Sequence, residues 1–332
     1  MKNNMIYLET HSLDPYYNLA FEEYILKHKM EGDYLLLWQN ENTVVIGQNQ
    51  IAEAEVDLHF IQEYDIKIVR RTTGGGAVYH DKGNLNYSFI TDVKEMEELT
   101  MDQFARPVVE ALCGLGLDAA VSGRNDILIN GSKVSGTAQR IYKNRILFHG
   151  TLLFDVNEEM VAGALRADPL KFQGRYAKSV RSRIANIRGF LDEDMGIEQF
   201  WNYLKDQIGK NGVMEKGVLT PGEQEAIFTL RNGKYVTKEW NFRHMQQFDF
   251  SNKKKWHGGI LEARVAVEKE KIKQVVFYGD FLSKTSLDEI ERALVGRNYV
   301  PLDVRNILNR YDLEKFFGTI TMQEVLDTIF MV

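Results

Sequence analysis

Three consecutive glycines, Gly74-Gly75-Gly76, sit between two stretches that read as β-strands, and no other feature constrains the chain as much. Ile66–Arg71 has strand character before them. Ala77-Val78-Tyr79-His80 resumes it after them, and Asn86–Ile90 continues the pattern. Glycines let backbone amides approach a ligand closely and converge on an anion. Arg70 and Arg71, next to the triplet, carry planar forks that suit phosphate or carboxylate oxygens. A dinucleotide fingerprint or a P-loop opens a helix, and the P-loop ends in Gly-Lys-Ser/Thr; neither condition holds here. Two readings stand: an anion loop of another kind, or a glycine-rich turn with solvated arginines.

The surrounding pattern alternates strands and helices. Asp14 and Pro15 open a helix that carries Tyr17, Ala20, Phe21 and Tyr24 at helical spacing and stops near Gly32. Tyr34–Trp38 and Thr43–Ile46 read as strands, and Glu53–Tyr64 as one helix. Thr100-Met101-Asp102-Gln103 has capping-box spacing, with Phe104, Val108 and Leu112 on one face behind it and Gly114 as a stop. Three strands follow, Asp126–Ile129, Lys133–Arg140 and Ile146–Val156. Asn130-Gly131 predicts a tight hairpin between the first two, and Lys143-Asn144 turns the second pair. Thr220 to Glu223 starts another helix. Gln246–Lys255 reads as a polar linker. Beyond it come a hairpin, Ile260–Val267 with Ile272–Tyr278, and two helices, with capping-box spacing at Ser286 to Glu289 and Thr321 to Glu324.

At about 150 residues per domain, 332 residues predict two domains. Lys+Arg 41 against Asp+Glu 47 excludes a globally basic nucleic-acid footprint. One cysteine excludes an internal disulfide framework and a multi-cysteine zinc site, and the seven histidines show no metal-ligand spacing. The longest apolar runs are strand-length, far short of the roughly 20 residues of a membrane span, and no signal-peptide core follows Met1. A soluble, cytoplasmic protein is expected.

A second informative region contains Arg124-Asn125-Asp126, Lys133-Val134-Ser135-Gly136-Thr137-Ala138-Gln139-Arg140 and His149-Gly150-Thr151-Leu152. Strict alternation places Lys133, Ser135 and Thr137 on one side of a strand and Val134, Gly136 and Ala138 on the other. Small residues leave room for a ligand against the sheet, and Lys133 there is a fixed charge for an acyl-phosphate. The plainer reading is a surface lysine after a turn. His149, in an apolar strand, reads on its own as a satisfied core histidine. Cys113 reads as a buried packing residue. Residues 166–183 carry Arg166, Lys171, Arg175, Lys178, Arg181 and Arg183 against the single acid Asp168, a basic loop that is either functional or merely solvated.

As an ordered set these segments resemble the lipoate–protein ligase A family over nearly the whole chain. The resemblance is carried by Arg70-Arg71-Thr72-Thr73-Gly74-Gly75-Gly76-Ala77-Val78-Tyr79-His80-Asp81 with Gly83-Asn84, by Gly123-Arg124-Asn125-Asp126, and by Lys133-Val134-Ser135-Gly136. His149-Gly150-Thr151-Leu152, Ser179-Val180-Arg181-Ser182-Arg183, and Trp38 followed by Val44-Val45-Ile46-Gly47 add to it. It implies an α+β fold, a biotin/lipoate-ligase-like mixed sheet with packed helices plus a small α/β C-terminal accessory domain, with boundaries at 1–246 and 247–332.

The activity it implies is ATP-dependent. Lipoate becomes lipoyl-AMP, and the lipoyl group passes to a lysine of an acceptor carrier. That carrier would be a 2-oxoacid dehydrogenase E2 domain, the glycine-cleavage H protein or an H-like protein. By resemblance Lys133 is the catalytic cation. Arg71, Gly75, Gly76, Ala77, Val78, Tyr79, Asn84, Asn125, Asp126 and Gly136 contact nucleotide or adenylate, and Lys178, Arg181 and Arg183 close over it. Trp38, Arg71, Gly75, Arg140, His149 and Thr151 form the lipoyl pocket. Mg²⁺ accompanies ATP through ligands the motifs do not name.

The family usually continues past Lys238-Glu239-Trp240-Asn241-Phe242 with a Gly/Pro turn, where this chain has Arg243-His244-Met245-Gln246-Gln247. The competing readings are an ATP-independent lipoyl or octanoyl transferase, disfavoured because no cysteine follows Cys113, and a catalytically idle carrier-binding paralogue. Biotin ligase and nucleic-acid binding fit less well.

Overall fold

Asp14 begins the first helix as its side chain allows, accepting from the Tyr16 amide at 3.1 Å while Pro15 fills the first turn. The structure is a computed structural model that describes residues 4–93, 101–123, 125–166, 184–210, 212–242 and 248–331. In chain order its first elements are β1 (Asn4–Glu9), α1 (Pro15–His28), β2 (Asp33–Trp38), β3 (Thr43–Ile46), α2 (Ala52–Glu55), α3 (Leu58–Glu63), β4 (Lys67–Arg70), β5 (Val78–His80) and β6 (Asn84–Asp92). The middle holds α4 (Met101–Gly114), β7 (Ala119–Ser122), β8 (Asp126–Ile129), β9 (Ser132–Tyr142), β10 (Arg145–Leu153), α5 (Glu158–Ala164), α6 (Ile197–Gly209), β11 (Val213–Lys216), α7 (Pro221–Leu230) and α8 (Lys238–Phe242). Last come β12 (Phe250–Trp256), β13 (Gly259–Glu268), β14 (Lys271–Gly279), α9 (Asp288–Leu294), α10 (Pro301–Leu308), α11 (Leu313–Phe317) and α12 (Met322–Ile329).

The main sheet has the order β11-β1-β2-β6-β10-β9-β8-β7. It is parallel across β11, β1 and β2 and antiparallel from β2 onward, so it is mixed, as the resemblance implied. One face buries Phe89, Phe104, Phe148, Phe200 and Leu204 beneath α4 and α6. The other buries Leu19, Phe21, Leu36 and Leu147 against α1. A small sheet, β4-β3-β5, packs its own core of Val44, Ile46, Val56 and Ile61. The C-terminal elements form a separate sheet, β12-β13-β14, with a core that includes Phe277, Phe281, Phe317 and Leu326. Among the described residues no helix is long and apolar enough to cross a membrane.

Asn130 and Gly131 both take positive φ, 50° and 80°, the geometry that a two-residue hairpin requires. Several expectations change. Glu53–Tyr64 is not one helix: Asp57 accepts from the His59 and Phe60 amides, so α3 starts afresh there, while Val56 bridges to Leu165. Six of the ten residues of the presumed linker Gln246–Lys255 belong to β12, an edge strand tied to α12 through Asn252 and Trp256. Lysines are common on such an edge because they keep other strands off it. Four helices follow the last hairpin where two were expected. No box forms at Ser286, whose hydroxyl accepts only from the Asp288 amide, whereas Thr321 and Glu324 do form one. Thr100, Arg124, the basic residues from 171 to 183 and the junction 243–247 lie outside the described residues.

Candidate functional site

A cleft opens between the main sheet and the small one. Its floor crosses the strands in a row set by register. Trp38 on β2 pairs with Asn86 on β6, and Asn86 with Thr151 on β10. The Gly136 amide on β9 donates to the Thr151 hydroxyl at 3.2 Å, and Gly136 pairs with Asp126 on β8. Its roof is Val45, the Gly75-Gly76-Ala77-Val78 loop and His80. Of the residues named from sequence, the structure gathers Trp38, Arg71, Gly75, Gly76, Ala77, Val78, Asn125, Lys133, Gly136, His149 and Thr151 on its walls.

Lys133 gets there by a departure from strand alternation. The β8–β9 register slips so that Ile127 pairs with Ser135 while Leu128 pairs with Lys133, leaving Val134 extra. One extra residue reverses which side the neighbours face. Lys133 therefore shares the cleft with Gly136 and Ala138, and Val134 goes into the opposite core. This corrects the alternation that placed Lys133 with Ser135. A Cβ on Gly136 would stand 3.3 Å from Lys133 Nζ, so the glycine leaves room for the lysine to lie across it. Lys133 Nζ pairs with Asp126 at 2.7 Å, both side chains about one-third exposed.

The two adjacent arginines do different things. Arg70 is fully buried. It donates to the carbonyls of Gly47, Gln48, Gln50, Trp240 and Asn241, tying the loop after β3 to the end of α8. Arg71 donates through Nη2 to the carbonyls of Gly74 and Gly76 at 2.6 and 2.8 Å and through Nη1 to that of Val45. It thus shapes the glycine loop from inside. Burial brings its guanidinium down to about 10, with Glu22 opposing, so it keeps its charge at neutral pH.

Behind Arg71 runs a chain of hydrogen bonds. Arg71 Nε donates to Thr73 Oγ1 at 3.0 Å, and Thr73 Oγ1 lies 2.8 Å from His149 Nε2. His149 Nδ1 lies 2.9 Å from Glu22 Oε1, which also accepts from Ser88, and Ser88 accepts from Trp38 Nε1. His149 is therefore a satisfied histidine and a wall of the cleft at once. Glu22 escaped the sequence reading. Its signal was there: Asn18 and Glu22, four apart, are polar positions on a helix face otherwise made of Leu19, Ile25 and Leu26.

Other expected residues sit beside the cleft and not on its walls. Tyr79 turns its ring into the small-sheet core, and its hydroxyl donates to Asn42. Asn84 is buried and donates to Asn86. Arg140 donates to the Thr72 carbonyl. Cys113 is exposed and not buried, because the core face of α4 passes through Leu112 and leaves its neighbour on the solvent side. Lys178, Arg181 and Arg183 lie outside the described residues. Among the described residues there is no group of three or more His, Cys, Asp or Glu that could hold a metal ion.

The C-terminal domain reaches the roof. The Phe281 carbonyl accepts from the Gly75 amide at 3.3 Å, Asn49 donates to Ser283 Oγ, and the Lys284 carbonyl accepts from the Ile141 amide. A Cβ on Gly74 would meet the Phe281 carbonyl at 2.7 Å, so this close approach needs a glycine.

Residues 14–209 match the family model described as lipoyl protein ligase A/B catalytic domain, and residues 245–329 match that of the bacterial lipoate protein ligase C-terminus. The chain is 38% identical to the lipoate-protein ligase LplJ of Bacillus subtilis, over 98% of this chain and 100% of that one. It is similar to a bi-partite lipoate protein ligase of Thermoplasma acidophilum, solved in a study of that enzyme and its E2 lipoyl domain. The identity is 30%, the TM-score 0.63, and the match covers 75% of this chain and 100% of the other. A crystal structure of a lipoate-protein ligase A bound with ATP matches at 28% identity and TM-score 0.63, over 73% and 99% of the two chains.

Proposed function

The chain belongs to the lipoate–protein ligase family, and on that footing we propose that it activates lipoate with ATP and delivers the lipoyl group to a carrier lysine. One lipoate carboxylate oxygen attacks the α-phosphorus of ATP, pyrophosphate leaves, and lipoyl-AMP forms. The ε-amine of the carrier lysine then attacks the acyl carbon, AMP leaves with the bonding pair, and an amide and a proton result. We propose residues 1–246 as the unit that does this and 247–332 as its accessory domain.

The observation that carries the reading is the polarity of the cleft. One end holds Lys133, turned inward by the bulge, and the other is walled by Trp38, Leu19 and Val45. An amphipathic acid with a charged head and an apolar tail matches that gradient. Lys133 offsets the repulsion between carboxylate and phosphate and stabilises the charge that builds on the phosphoryl oxygens. Arg71 contributes its charge while holding the loop, so the amides of Gly76, Ala77 and Val78 are preset for the nucleotide. The ATP-bound relative supports a nucleotide here. Mg²⁺ enters as part of the nucleotide substrate. Asp126 offers the hard oxygen that this ion takes, and nucleotide phosphates and water supply the rest. Lys178, Arg181 and Arg183 are proposed to close over the adenylate and keep water away. A lipoyl domain of a 2-oxoacid dehydrogenase, or an H or H-like protein, is the proposed acceptor, and the cytoplasm the proposed setting.

The test is ATP–pyrophosphate exchange by the purified full chain without a carrier. Exchange that requires lipoate is expected. No exchange, while supplied lipoyl-AMP is still transferred to a carrier, would replace activation with transfer alone. Neither activity, across a panel of carriers, would leave an idle carrier-binding protein.

A further inference from the structure

His80 is 2% exposed and faces the cleft, yet its Nε2 has no hydrogen-bond partner among the described residues. The state of that nitrogen follows from its neighbours. Asn18 Nδ2 donates to the backbone carbonyls of Ser12 and Gln39, at 3.0 and 2.7 Å, which fixes the orientation of its amide. One of its two hydrogens is shared with Asn40 Oδ1 at 3.0 Å, so Asn40 turns its Nδ2 the other way, toward His80 Nδ1 at 3.1 Å. That ring nitrogen can only accept. The neutral tautomer therefore carries its hydrogen on Nε2, the unpartnered nitrogen of a ring that lines the cleft. Burial, with Arg71 and His149 nearby, lowers the imidazole to about 3, so it stays neutral at working pH.

Position narrows what this donor meets. The His80 ring stands edge-on to Trp38, centroids 6.3 Å apart, at the β2 end of the floor. Lys133 lies at the β9 end, three strand spacings or about 14 Å away. A carboxylate at Lys133 on an extended eight-carbon chain, about 10 Å long at the reach of three backbone-type bonds per 3.3–3.6 Å, points its tail toward Trp38 and His80.

We propose that His80 determines acyl specificity: its Nε2–H donates to a sulfur lone pair of a disulfide-ended acid such as lipoate, and leaves a plain alkyl acid of equal length with a buried donor unmet. This rests on the lipoate-ligase reading. Sulfur accepts weakly, but an aliphatic methyl does not accept at all, and polarisable sulfur also favours the edge of an aromatic such as Trp38. Leaving a buried donor without a partner corresponds to about ten- to hundredfold in affinity.

The experiment is titration calorimetry of the full chain with lipoate and with octanoate, no nucleotide present, on wild type, His80→Leu and Asn40→Asp. Wild type is expected to prefer lipoate by about tenfold or more. His80→Leu should narrow that ratio to within about threefold, mainly by strengthening octanoate. In Asn40→Asp the new carboxylate can only accept, which selects the tautomer with its hydrogen on Nδ1 and its lone pair on Nε2, a change read in the ¹⁵N shifts of His80, and the preference should again collapse. An equal ratio in wild type and His80→Leu overturns the proposal while leaving the ligase reading intact. If wild type binds neither acid and shows no exchange, both fall together. Should Asn40→Asp fail to fold, His80→Leu decides alone.

Discussion

Replacing Lys133 with methionine separates chemistry from structure, because the two effects differ in size. The side chain's one charged partner among the described residues is Asp126, at 2.7 Å, and both groups are about one-third exposed. An ion pair that wet contributes about 0–1 kcal/mol. Methionine keeps a stem of similar length over Gly136, and Asp126 regains water. Stability should thus fall by less than about 1 kcal/mol, which lowers the melting temperature by roughly 4 °C at most. Loss of a preorganised positive group at a developing oxyanion is larger, about 10²–10³ in rate. Lipoate-dependent ATP–pyrophosphate exchange and thermal unfolding, run on the same preparation, read both quantities. Exchange within about threefold of wild type would remove Lys133 from the chemistry. A melting temperature lowered by more than about 8 °C would show that it holds the β8–β9 pairing together.

Two further outcomes follow from packing and charge. Glu23 lies between Lys27 and Lys234 and accepts from the Tyr235 hydroxyl. Burial alone would push its carboxyl up, but Lys234, Lys27 and Tyr235 bring it from 4.5 to about 2. A folded value below the unfolded one means stability present above pH 4.5 and lost as the pH falls toward 2. The gap between wild type and Glu23→Gln should be on the order of 3 kcal/mol at neutral pH and close toward pH 2; a gap constant with pH in urea titrations refutes the pairing. At Gly150 a Cβ would stand 2.5 Å from the Tyr87 hydroxyl and 2.6 Å from its Cζ, and Tyr87 is fully buried. Gly150→Ala should therefore cost about 1–3 kcal/mol by denaturant unfolding, partly restored by Tyr87→Leu; an unchanged midpoint would show that the ring yields.

What could be read in the chain was local. Asp14 with Pro15, Asn130-Gly131 and the boxes at Thr220 and Thr321 each place their own hydrogen bonds, so the elements they bound appear where their spacing put them. What could not be read depends on partners far away in sequence. β12 is polar along its length and becomes a strand because β13 pairs with it. The side on which Lys133 emerges depends on one residue of slippage against β8, invisible to a period of two. Glu22 and His80 look like an ordinary helix acid and a strand histidine. Their meaning comes from Ser88 on β6, His149 on β10, Asn40 in the loop after β2 and Asn18 on α1, brought together by the fold. The glycine and lysine motifs were legible as a set, and the structure gathers most of them around one cleft.

The bond from the Gly75 amide to the Phe281 carbonyl makes two equilibria one. An anion that takes this amide must displace the carbonyl, and a docked C-terminal domain withholds the amide from the anion. By thermodynamic reciprocity, whatever factor docking subtracts from affinity for that anion, the bound anion subtracts from docking. An anion held by that amide would thereby be felt, at the far side of the roof, in how firmly the C-terminal elements dock.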